Sequence, residues 1–211
     1  MNHTDQGGRY AFDRQPAIGL WNCYALANAL LSLIDKAALE AALDGYETAY
    51  NTAYVARMRA KLGLTLERAG DAELIFDILQ LLETSHADYT NFFRDLCDID
   101  VESRPSDDRV AEFFTDRDGW YAWQTRYRAR LEDEAQSPVA RRDAKRAVNP
   151  KYILRNYLAQ TAIERAQAGD FSETARLHDI LRRPFDDQPE NDEYAATPPD
   201  WAKTISVSCS S

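Results

Sequence analysis

Apolar residues recur at helical spacing along almost the whole chain. Leu20, Tyr24, Ala27, Leu31 and Ile34 follow one another at steps of four and three, so they share one helix face. Trp21, Ala25, Leu26 and Leu30 fill much of the remaining surface. A helix apolar on most sides belongs in the middle of a fold, and Pro16 suits its opening because a first-turn residue needs no N–H partner. Termini are usually peripheral, so a central helix this close to Met1 predicts further structure upstream. The second helix is expected over 36–61, with Leu39, Leu43, Tyr46, Tyr50, Ala53 and Arg57 as its stripe and Gly63 as its stop. Leu74, Ile75, Ile78, Leu79 and Leu82 place a third over 71–85, which ends near His86, and Asp88 caps a fourth carrying Tyr89, Phe92, Phe93 and Leu96.

The second half continues in the same period. An acidic loop with Pro105 runs over 98–108, a short helix covers about 109–114, and 116–119 turns the chain. Trp120, Trp123, Tyr127 and Leu131 then make one stripe, and Pro138 opens a short basic helix. Asn149-Pro150 reads as a cap with a first-turn proline. It starts a helix whose apolar side is Leu154, Leu158, Ala162 and Ala166, stopped by Gly169. Asp170 and Glu173 resemble a capping box for the last helix, with Ala175, Leu177, Ile180 and Leu181 on its face and Pro184 at its end. No strand alternation or repeat period stands out, so the class is all-α. The expected organisation is a polar loop segment over 1–14, a helical body over 15–184 and an extended tail over 185–211, with Tyr194 and Trp201 pinning the tail.

Composition narrows the partners. The chain has 211 residues and a formal net charge of -10, which argues against a general nucleic-acid or anionic-membrane surface. No apolar run reaches the ~20 residues of a membrane span, and the N-terminus does not read as a signal peptide. Cys23, Cys97 and Cys209 are scattered and odd in number, which fits a reducing cytoplasmic setting, with Cys23 and Cys97 as small core residues.

Candidate chemistry is sparse. The sequence carries no Gly-rich nucleotide loop, Walker motif, GxSxG, CxxC pair or HExxH. Glu83-x-x-His86 is a single copy of a pattern that di-iron bundles use twice, so it reads as a helix-end histidine rather than a metal site. Arg141, Arg142, Lys145, Arg146, Lys151 and Arg155 could grip a phosphate. In so acidic a chain, internal pairing with carboxylates is the stronger expectation. Arg155-Asn156, placed mid-helix, reads as a hydrogen-bonding partner for a neighbouring loop. Gly7-Gly8-Arg9-Tyr10 is a flexible loop leading into the first helix, with an activation-type loop as its functional reading.

The stretches NHTDQGGRYAFDRQPAIGLWN (2–22), ADYTNFFRDL (87–96), NPKYILRNYLAQTAI (149–163), GDF (169–171), LRRPF (181–185), PPDWA (198–202) and SCSS (208–211) resemble, in order, the C-terminal part of selenoprotein O. That is a protein-kinase-like family of protein adenylyltransferases. The resemblance implies the helical part of a kinase-like C-lobe with a C-terminal helical extension. The implied activity is transfer of AMP from ATP to Ser, Thr or Tyr hydroxyls of protein substrates, with ATP flipped so that its α-phosphate is open to attack and with Mg²⁺ neutralising the phosphates. It also implies that the nucleotide-gripping, catalytic and metal-binding residues lie upstream of NHTD, so no catalytic, ATP-binding or metal residue is carried over to this chain. Gly8, Arg9 and Tyr10 correspond to an activation-loop-like segment. Met1 stands where members commonly have a cysteine, and Cys209 stands at the position of selenocysteine in selenium-using members, a possible redox site left without its partner. The expected partner is the missing N-terminal catalytic half, with a stand-alone helical interaction module as the alternative.

Overall fold

The computed structural model describes residues 7–9, 11–102 and 106–205. Among them every regular element is helical and no strand occurs. The helices are α1 (Gln15–Leu30), α2 (Lys36–Leu62), α3 (Asp71–Thr84), α4 (Tyr89–Asp95), α5 (Ser106–Ala111), α6 (Arg117–Glu132), α7 (Pro138–Arg146), α8 (Asn156–Gln167) and α9 (Ser172–Leu181). Short 3₁₀ stretches precede α1, follow α4, and occupy Pro189–Ala195 and Asp200–Thr204 in the segment expected as the tail. Two compact units divide the chain, residues 1–54 with 201–211 and residues 55–200.

The first unit contains α1 and most of α2. Tyr46 Oη donates to the Pro16 carbonyl at 2.9 Å, and Gly19 makes room for it: a Cβ there would lie 2.5 Å from that hydroxyl. Tyr46, Tyr50 and Tyr54 stack at four-residue intervals, with centroids 6.4 and 6.0 Å apart. The expected central burial of α1 is overturned, because none of its residues is buried. It also ends at Leu30, and Leu33 beyond it is 79% exposed. An apolar pattern states what a helix is suited to pack against, not that the packing partner is present. Cys23, expected in a core, is accordingly half-buried.

The second unit holds the main core. α3 packs along α6, where Trp123 Nε1 donates to the Leu74 carbonyl at 2.8 Å. Phe114, Trp120, Trp123 and Tyr127 form one continuous aromatic stack, and Phe92 packs edge-on against Phe114 and Trp120. Met58 and Leu62, from the last turns of α2, join this core, so the predicted α2 stripe upstream of them contributes no fully buried residue. A smaller core lies between α8 and α9, built on Tyr152, Leu158, Leu177, Ile180 and Tyr194.

Three expected starts moved. α6 begins at Arg117 because Asp116 caps it by accepting from Gly119 N at 2.9 Å, which turns the predicted turn into a first helical turn. α5 begins at Ser106 rather than at 109. α8 begins at Asn156, not after Asn149-Pro150, since Arg155 is its extended N-cap residue. Asn149 is instead fully buried, its Nδ2 donating to Lys61 O at 2.9 Å. At α9 the capping box is not made. Asp170 accepts from Ser172 N, while Glu173 turns inward to receive Tyr194 Oη at 2.8 Å.

Candidate functional site

The basic helix α7 was the strongest anion-binding candidate in the sequence. Its two buried cations, Arg141 and Lys145, are spent inside the protein, whereas Arg142 is partly exposed and, among the described residues, reaches only its neighbour Asp143 at 3.7 Å. Arg141 pairs with Asp100 and donates to Leu131 O and Gln136 O, at the end of α6 and just past it. Lys145, fully buried, donates to Leu96 O at 3.0 Å and Ile99 O at 2.6 Å, where the α4 segment ends. Helix C-termini leave carbonyls unpaired and carry partial negative charge. Lys145 and Arg141 therefore serve two helix ends, and Asn149 with Tyr127 Oη, which donates to Leu62 O at 2.7 Å, serves the end of α2. Burial pulls the Lys145 ammonium down to about 8, against the opposing pull of Cys97 and Asp100. Burial likewise pushes the Cys97 thiol up, which makes it a packed core residue rather than a nucleophile.

The remaining cations have carboxylate partners too. Arg146 reaches Asp98 at 3.0 Å and Asp187 at 3.1 Å, and Lys151 reaches Asp192 at 2.6 Å. Arg155 pairs with Asp88 at 2.7 Å and Asn91 at 3.1 Å, so it does serve a neighbouring segment, but from the start of α8 rather than its middle. Asp187 is the point on which Arg94, Arg146 and Lys151 converge, and these three cations hold its carboxyl below the usual range despite partial burial. Arg94 also donates to Phe185 O at 3.0 Å, and Tyr152 Oη donates to Gln188 O at 2.9 Å. These bonds fasten the segment after α9 to the body. Tyr194 is buried in that attachment, whereas Trp201 is 55% exposed.

Sequence reasoning missed Glu134. Its carboxylate accepts from Thr65 N, Thr65 Oγ1 and Leu66 N and pairs with Arg130, which also holds Asp71. The only local signal was the four-residue step from Arg130 to Glu134. Glu83 and His86 are both exposed, and among the described residues no group of three or more His, Cys, Asp or Glu could hold a metal ion.

One surface open for contact lies at the N-terminal end. Gly8 adopts φ +63°, Arg14 donates to Gly7 O at 3.2 Å, and the Arg9 guanidinium lies 4.5 Å from the Trp21 ring centre. Trp21 is 53% and Leu26 61% exposed, so α1 presents a broad apolar surface. Tyr10 and Cys209 lie outside the described residues. No helix among the described residues is long and apolar enough to cross a membrane.

Comparison with known proteins matches residues 1–182 to the family described as Protein adenylyltransferase SelO. The chain is 48% identical over 225 residues to the Protein nucleotidyltransferase YdiU of Burkholderia pseudomallei (strain 1710b), covering 100% of this chain and 43% of that protein. To the YdiU of Herminiimonas arsenicoxydans it is 50% identical over 211 residues, covering 100% of this chain and 42% of the relative. The chain thus spans less than half the length of these relatives. Matched to the family model across most of its length and to YdiU proteins across all of it, the chain belongs to the SelO family of protein adenylyltransferases.

Proposed function

We propose that these 211 residues act as the C-terminal portion of an enzyme that transfers AMP from ATP to Ser, Thr or Tyr hydroxyls of proteins, working in the cytoplasm. They would supply the helical part of a kinase-like C-lobe and its C-terminal extension, while a separate upstream half supplies nucleotide, Mg²⁺ and catalytic residues. The observation that carries this reading is the exposed apolar α1, matched to a family whose cited members are more than twice as long. Burying such a surface yields roughly 25 cal/mol per Å², so a covering half would be held firmly. The engagement of the α7 cations with this chain's own carboxylates and carbonyls supports assigning phosphate binding to the other half. ATP and Mg²⁺ therefore enter no step derived from these residues.

The test is labelling. Purified chain given labelled ATP, Mg²⁺ and a cell extract should modify nothing, and co-expression with the upstream half from the same genome should restore transfer. Labelling by the chain alone would overturn the proposal. The same exposed α1 also favours a second reading, a stand-alone helical interaction module. Under that reading the upstream half neither binds α1 nor restores transfer.

A further inference from the structure

The chain has five lysines, Lys36, Lys61, Lys145, Lys151 and Lys203. The side chains of the first four are described, and each lies in different surroundings. Lys36 is exposed beside Glu40, Lys151 is held by Asp192 and Asp187, and Lys145 is fully buried against two carbonyls. Lys61, in the last turn of α2, shares none of these settings. It is half-buried against α4, with Nζ 4.4 Å from the Phe93 ring centre and 5.3 Å from that of Tyr89. Its ammonium has no carboxylate or hydrogen-bond partner among the described residues, yet Nζ is not sealed from solvent.

Two effects compete at that ammonium. The ring faces attract a cation. The same rings, with Phe93 itself buried, strip water from one side of it, and lost hydration disfavours the charged form. Burial wins: the ammonium is pulled down to about 8, against the opposing pull of Cys97. Cys97 and Tyr89, whose hydroxyl donates to Met58 Sδ at 3.7 Å, are the titratable groups that α4 and the turn after it bring beside Lys61. With no carboxylate in contact, nothing restores the charge. Part of such an amine is neutral near pH 7, and it needs no general base to attack a carbonyl carbon. Among the described residues no polar groups converge on it to grip a large acyl carrier, so a small donor with its own good leaving group fits best.

We propose that Lys61 is an acylation site, modified without an enzyme by small acyl phosphates. The neutral Nζ attacks the carbonyl carbon and a C–N bond forms. The C–O bond to phosphate breaks, inorganic phosphate leaves with its electron pair, and Nζ gives up a proton to solvent. The amide then lies uncharged on the two rings, and α2 loses a cation from its negative C-terminal end. The Lys61 carbonyl, which Asn149 Nδ2 holds at 2.9 Å, is untouched, so the fold persists. This site is independent of α1 and of the proposed transfer activity. The test incubates the whole 211-residue chain with acetyl phosphate at pH 7.5 and quantifies the digested peptides by mass spectrometry. Lys61 should gain acetyl about tenfold faster than the exposed Lys36, because a larger neutral fraction outweighs the weaker nucleophilicity that accompanies a lower pKa, as it does for thiols. Its rate should level off by about pH 9, where an ordinary lysine is still gaining neutral amine. Tyr89→Ser, at an exposed position, should rehydrate the ammonium and slow Lys61 about threefold, with Lys36 unchanged as the internal reference. Equal rates at Lys61 and Lys36, a Lys61 rate still climbing at pH 10, or insensitivity to Tyr89→Ser would each overturn the proposal. If Tyr89→Ser does not fold, the two wild-type measurements decide.

Discussion

Gly63 shows how one residue can be dictated by distant ones. It ends α2 at φ +75°, and a Cβ there would meet Lys145 Cγ at 2.9 Å and Arg141 Cγ at 3.0 Å. Both the backbone and the space exclude a side chain, so Gly63→Ala should cost about 1–3 kcal/mol in urea unfolding. Glu134 is the second such point, with a fully buried side chain. Burial alone would raise its carboxyl, but bonds from Thr65, Arg130 and Leu66 outweigh burial and hold it below the usual glutamate range. A depressed folded-state value means stability that is present above the unfolded value and lost as pH falls through the folded one. Glu134→Gln should therefore destabilise the protein by about 3 kcal/mol at neutral pH. The gap from wild type should close as pH drops below about 4, as denaturant titrations at several pH values would record. The sequence marked Gly63 as a stop, but only the four-residue step from Arg130 hinted at Glu134, because its partners Thr65 and Leu66 lie 69 and 68 residues away.

At the scale of elements, Asp88 joins two helix starts. Its Oδ1 accepts from Asn91 N at 3.0 Å to cap α4, and its Oδ2 holds Arg155, the N-cap residue of α8. Asp88→Asn keeps a capping oxygen and removes the charge, whereas Asp88→Ala removes both. The alanine variant should lose about 1 kcal/mol more than the asparagine variant, the cost of the cap alone. Thermal melts of the two variants separate the cap from the ion pair. Asp88 was legible as a cap because the signal sits within four residues. Asn149-Pro150 carried an equally good local signal and misled, since the buried Asn149 amide was needed at the end of α2. Local capping chemistry competes with tertiary demand, and here the buried carbonyl of Lys61 won.

Over the whole molecule, stability responds to pH on both the acid and the alkaline side. On the acid side, Glu134 and Asp187 have depressed folded values, so both contributions vanish as pH falls. On the alkaline side Lys145 runs the other way. Its folded value of about 8 lies below the unfolded 10.5, so the unfolded chain binds the extra proton between them and stability rises with pH in that window. Cys97, raised by burial, opposes this once the unfolded thiol ionises in the ordinary cysteine range. In Lys145→Met the alkaline rise should disappear, so the stability difference between wild type and variant grows in wild type's favour from pH 8 to 10; guanidinium titrations at fixed pH would record it. By itself the sequence determined the helical class, most helix positions and the family resemblance, because period, caps and contiguous motifs are short-range properties written in neighbouring residues. Tertiary structure alone decided which apolar faces are covered and which charges are free. α1 carries the pattern of a core helix yet stays exposed, and α7 carries the pattern of an anion site yet caps helix ends. Burial and charge pairing depend on what lies across from a side chain, and that neighbour is set by contacts dozens of residues apart.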